Sequence, residues 1–94
     1  MKVRWTRPAL VDLSHCLEYL DERNPVAAST VARAIQVSTR RLIENPNSGR
    51  PGRVDGTREL VILKYPYVVA YRVTKDSVDI LAVRHSARLW PQQF

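Results

Sequence analysis

Asn24-Pro25 lies between two long apolar-periodic runs and constrains the fold more than any other feature of the chain. An asparagine followed by a proline starts a helix. The amide side chain accepts from a first-turn N–H, and the proline takes a position whose N–H has no intrahelical partner. Upstream, Leu10, Leu13, Leu17 and Leu20 recur at spacings of three and four with Cys16 beside them, which predicts a helix with one apolar stripe. Thr6 and Pro8 give that helix the same kind of start, and its other face carries Asp12, Glu18, Glu22 and Arg23. Downstream, Ala28, Val31, Ile35, Ser38 and Leu42 make the inner stripe of a second helix running to about Asn45. Asn45-Pro46 stops it, because the residue before a proline is pushed out of the helical region. Two helices joined by one or two residues must fold back as an antiparallel hairpin.

Around the hairpin the pattern changes to strands. Lys2 to Trp5 precedes it, and Glu59 to Leu63, Tyr67 to Thr74 and Val78 to His85 follow, rich in Val, Ile and Tyr. Tyr65-Pro66 and Lys75-Asp76 are the breaks between them, so the last three strands form an antiparallel meander. A turn at Lys75 and Asp76 sets Val73 opposite Val78, Arg72 opposite Asp79 and Tyr71 opposite Ile80. Both faces of this ribbon are largely apolar, which leaves open the face that meets the helices. The expected fold is α+β, a two-layer sandwich in the order β-α-α-β-β-β with a short tail, the helical hairpin on one face of an antiparallel sheet. No helix remains for the other face, which is expected to be an open working surface. Residues 1–94 read as a single domain with no linker or internal repeat.

A chain of 94 residues buries only about two-thirds of the surface it exposes when unfolded, so one core must serve everything. Against 9 acids stand 15 Lys and Arg, a net charge of +6, with lysine only at Lys2, Lys64 and Lys75. Arginine keeps its charge when partly buried and engages phosphates or carboxylates in two places at once, so an acidic partner is expected, nucleic acid or protein. Cys16 is the single cysteine, which excludes an intramolecular disulfide and fits a reducing compartment. The N-terminus lacks an apolar leader and no run approaches a membrane span, so the chain reads as cytoplasmic. His15 and His85 have no metal-ligand spacing, and no glycine-rich cradle precedes a helix, so no metal or cofactor is expected.

The segment NSGRPGRVDGTREL, residues 47–60, is too polar for a core and too punctuated for a helix. Its glycines and proline are expected to hold Arg50, Arg53 and Arg58 at the sheet edge for contact with an acidic partner. Arg72 lies mid-strand, and Arg84, His85 and Arg88 end the last strand, so these cations are expected to share one basic rim with the loop. Such a rim could hold a phosphodiester backbone while the His85 imidazole exchanges a proton with the reacting groups. A metal-independent ribonuclease also needs a second proton carrier. Glu59, Tyr65, Tyr67 and Tyr71 are nearby, and nothing in the spacing singles one out. Ser14-His15-Cys16 are neighbours on a helix and do not face each other. Trp90-Pro91 reads as a lid on the core or a stacking platform. Val11, Ala27, Ala34 and Val37 form an outer groove if they lie away from the core.

The run SGRPGRVDGTREL, the strand YVVAYRV and the ending ILAVRHSARLWP resemble the RelE/ParE superfamily of type II toxin-antitoxin toxins, also labelled plasmid stabilisation proteins. The likeness covers nearly the whole chain. It implies a strand, two helices, three strands and a short C-terminal helix. It also implies one of two activities. RelE-like toxins enter the ribosomal A site and cut messenger RNA; ParE-like toxins poison DNA gyrase and are not nucleases. The strand ELVILK has a single lysine, no tyrosine follows Tyr71, and Ser86 and Ala87 stand near where RelE places a basic residue. His85 sits where some ribosome-dependent relatives keep a histidine, with Arg72 and Arg58 to stabilise charge. The long hairpin and the Trp-Pro ending are more similar to ParE, so growth inhibition through gyrase is the expected function, with a RelE-like messenger RNA endoribonuclease as the alternative. A non-toxic basic binding module is the third reading. The resemblance further implies a cognate ParD-like antitoxin in a heterotetramer, with gyrase as target, any direct nucleic-acid contact secondary and no membrane.

Overall fold

The computed structural model describes residues 1–87 and 94. Its elements are β1 (Lys2–Trp5), α1 (Arg7–Arg23), α2 (Pro25–Arg40), a 3-10 turn at Arg41–Ile43, β2 (Arg50–Pro51), β3 (Arg58–Val61), β4 (Tyr67–Val73) and β5 (Ser77–His85). They form two layers, α1 and α2 packed on one face of a five-stranded sheet ordered β1-β5-β4-β3-β2. The sheet is mixed rather than antiparallel throughout. β1 runs parallel to β5, with Val3 opposite Val78 and Trp5 opposite Ile80. Parallel pairing needs a long connection, and everything between the first strand and the last supplies it. The expected C-terminal helix, with Arg88 and Trp90, lies outside the described residues.

The start signals act as read. Thr6 caps α1, its hydroxyl accepting from Ala9 N–H and donating to the Ile80 carbonyl at 2.8 Å. Asn24 serves both helices. Its N–H closes α1 on Leu20, and its side chain accepts from Ala27 N–H at 3.2 Å to open α2. The inner stripe of α2 is Ala28, Val31 and Ile35, continued by Leu42 in the 3-10 turn. Thr39, not Ser38, is the buried polar residue, because its hydroxyl bonds back to the Ile35 carbonyl. On α1 the buried side is Ala9, Leu13, Cys16 and Leu20, while Leu10 faces solvent. Asp12 is not on the solvent face. β1 ends at Trp5, and beyond it the edge of β5 has no neighbouring strand; the Asp12 carboxylate takes the Val83 N–H at 3.1 Å in its place.

The turn-derived register holds for Val73 opposite Val78, Arg72 opposite Asp79 and Tyr71 opposite Ile80, then shifts by one between Ala70 and Tyr71. Leu81 is the extra residue, and such a bulge redirects every side chain past it. Tyr67, Val69, Tyr71, Val78, Ile80 and Val83 therefore face the helices. Val68, Ala70, Arg72, Asp79, Ala82 and Arg84 face the other way. No helix covers that second face among the described residues, yet it is not the open surface expected, since Val68, Ala70 and Ala82 are buried. Glu59 projects from the same face and accepts from the Arg53 backbone N–H, so the loop after β2 folds over this side. The strip toward β1, with Lys2, Arg4 and Arg72, stays exposed.

Candidate functional site

The arginine-rich loop is built around one buried carboxylate. Glu59 is 2% exposed, and Arg50 reaches its Oε1 with Nη2 at 2.9 Å and Nε at 3.2 Å. Its Oε2 accepts from Arg53 N–H at 2.8 Å and lies 3.6 Å from the Arg53 guanidinium. Arg58 donates to the carbonyls of Gly49 and Asn47, and the buried Tyr71 hydroxyl accepts from Gly49 N–H and donates to the Pro46 carbonyl, both at 2.8 Å. A Cβ on Gly49 would lie 2.6 Å from that hydroxyl, which is why glycine stands there. The loop is therefore part of the structure and not a loose bearer of charge, although Arg50 and Arg53 remain about half exposed and open to a partner.

The expected single rim does not form. β3 begins opposite the end of β4, and β5 ends opposite the start of β4, so the loop and the exit of β5 occupy opposite ends of the sheet. Arg72 is on the face away from the helices. His85 is on the helix face, paired with Tyr67, whose ring meets it edge-on at 5.8 Å between centroids. Arg58 shares the helix face with His85 but pairs with Tyr71, four residues further along β4, roughly 13 Å at ~3.3 Å per residue. His85 Nδ1 accepts from Ala87 N–H at 3.2 Å. The three side chains that would make a ribonuclease thus stay apart.

Two arrangements were not legible from spacing. His85 and His15 line one cavity of about 480 Å³ with Tyr19, Tyr65 and Ala27, although 70 residues separate the two histidines. Arg84 Nε lies 3.7 Å from Asp12, and the Arg84 and Asp12 side chains meet at the edge of β5. The four residues expected to form one outer groove do not share a surface. Ala27 lines the histidine cavity, Ala34 lines a hollow of about 790 Å³ beside Leu60 and Val61, and Val37 lies on the outer side of α2. Val11 lines none of these and is exposed. Val61 and Leu63 are also exposed, beyond the point where β2 stops pairing with β3.

The family model described as the ParE toxin of the type II toxin-antitoxin system parDE matches residues 3–90. The chain belongs to the ParE toxin family. A ParE-family assignment agrees with a Sinorhizobium fredii chain carrying a toxin's name, Y4kP, 43% identical over 97% of this chain and 94% of its own length. Toxin RelE2 of Caulobacter vibrioides is 38% identical over 94% of this chain and 98% of its own. Among solved structures, one titled chromosomal ParDE TA system from P. aeruginosa superposes with a TM-score of 0.81 at 27% identity, covering 90% of this chain and 95% of that one. The family model's match spans Glu59, Arg72 and His85, and the fold is shared with that structure over 90% of the chain. No helix among the described residues is long and apolar enough to cross a membrane, and they contain no cluster of metal ligands.

Proposed function

We propose that this toxin arrests growth by poisoning DNA gyrase in the cytoplasm, is no nuclease itself, and is silenced by a cognate ParD-like antitoxin in a heterotetramer. The observation that carries the reading is the separation of His85, Arg72 and Arg58 over two faces and two ends of the sheet. Phosphodiester cleavage by proton transfer needs base, acid and cation within hydrogen-bond reach of one phosphate. Gyrase poisoning needs only a surface that holds the enzyme in its cleaved state. Residues 1–94 act as one unit in this reading, and plasmid stabilisation is the consequence of the toxin outlasting its antitoxin. The antitoxin's site is proposed where apolar side chains stay exposed, at Val11, Val37, Val61 and Leu63, with Ala34 in the hollow beside the last two and Ala27 in the histidine cavity. Arg50 and Arg53, half exposed, Arg84 beside Asp12, and Arg88 and Trp90 in the tail complete the candidate contacts for target or antitoxin.

Induced expression in a growing bacterial culture tests this. The expected outcome is growth arrest with broken chromosomal DNA and intact message, relieved when the neighbouring antitoxin gene is co-expressed. Cut message on ribosomes with unbroken DNA would transfer the assignment to the RelE-like endoribonuclease, and undisturbed growth would leave a non-toxic basic module.

A further inference from the structure

The side chains at the β1 edge of the second face make a row across three strands. Arg4 pairs with Asp79 in parallel register, and Asp79 pairs with Arg72 in antiparallel register, so two guanidiniums flank one carboxylate. That carboxylate is already committed. Its Oδ2 accepts from Arg4 at 3.1 Å and its Oδ1 from the Ser77 hydroxyl at 2.7 Å, and the residue is 8% exposed. Arg72, exposed on the same row, has no hydrogen-bond or ion-pair partner among the described residues. Lys2 stands one pleat along β1 on the same face and is exposed and unpaired likewise. Arg50 and Arg53 extend the cationic side toward β2 through Glu59. Six cations thus share this side, Arg84 beside Asp12 at the β5 edge among them, and the strand carboxylates Asp79 and Glu59 are both bound internally.

The chemistry of the strip selects its partner. Arg4, Arg72, Lys2 and Ser77 offer nothing apolar, whereas a protein partner is held by apolar anchors in a desolvated centre. Of the exposed large apolar side chains among the described residues, most lie on the helices and at the β3 edge, while Met1 adjoins Lys2 at the start of β1. Cations about 7–10 Å apart along and across neighbouring strands suit a polyanion carrying one charge per ~1.7 Å of axis. We infer that Lys2, Arg4 and Arg72 hold a phosphodiester backbone, that of duplex DNA. The choice of DNA over RNA rests on the gyrase reading above. The toxin then grips the DNA segment at its target as well as the target itself, using a face separate from the apolar surfaces.

Fluorescence anisotropy of the full chain with a labelled 20-base-pair duplex, across a salt series, tests the inference without gyrase. The K2A/R72A double variant removes no internal contact. It is expected to weaken binding about tenfold or more and to flatten the log K against log salt slope by about 1.8, two phosphate contacts' worth. Arg72→Lys should keep most of the affinity. Removing the same charge from α2, as R33A/R40A, should change affinity less than twofold. Equal loss in both double variants would reduce the effect to net charge and overturn the site. No binding to the duplex, or binding of a single-stranded RNA in its place, overturns the inference as well. The two readings fail separately: gyrase poisoning without DNA affinity sinks this one alone, and DNA affinity without gyrase poisoning sinks the other.

Discussion

Arg50 and Arg72 look alike in the sequence and are opposites in the structure. Arg50 lies on a carboxylate that is 2% exposed, whereas Arg72 stands in solvent. Truncating one partner of a buried charge leaves the other inadequately solvated, so Arg50→Ala should destabilise the fold by about 1–3 kcal/mol, with Arg53 moderating the loss. Arg72→Ala should stay within about 0.5 kcal/mol of the parent. Urea unfolding of both variants checks this, and equal midpoints would mean that Glu59 does not organise the loop. Tyr71→Phe makes a companion case. It removes the acceptor for Gly49 N–H and the donor to Pro46, and should cost about 1–2 kcal/mol although only one oxygen is lost. The polar loop composition was legible from the chain; that its arginines answer a buried glutamate was not, since Glu59 reads from spacing only as one of several proton-carrier candidates at the start of a strand.

At the scale of elements, the helix starts were legible because they are written in local chemistry, whereas α2 ends at Arg40 and passes into a 3-10 turn before the Asn45-Pro46 stop is reached. Thr6, Asn24 and the prolines after them act on backbone groups within a few residues. The limits of such reading show at the β-bulge. Extending the Lys75-Asp76 turn without interruption would set Arg84 opposite Tyr67 and send His85 to the face away from the helices. The extra residue at Leu81 reverses both, and nothing in a run of alternating apolar residues marks which one is unpaired. Asp12 shows the same limit, since its acceptor role depends on where β1 ends. Asp12→Ala should cost about 1–3 kcal/mol by leaving Val83 N–H without an acceptor, and the Val83 amide should exchange with solvent faster than in the parent. Unchanged protection there would show that the carboxylate does not close the edge.

For the whole molecule, one face of the sheet carries the core and the helices, and the other carries a buried centre with a cationic strip toward β1. The α+β layering followed from element order, but the second face did not, because Val68, Ala70 and Ala82 at its middle are buried and the loop after β2 folds onto Glu59 beside them. That arrangement separates Arg72 and Arg58 from His85, the three side chains that a ribonuclease reading would bring together. The most direct test uses the purified chain with gyrase, supercoiled DNA and ATP, beside programmed ribosomes in a second reaction. The account predicts accumulation of protein-linked cleaved DNA in the first and full-length message in the second. Intact DNA with message cut in the ribosomal A site would contradict it.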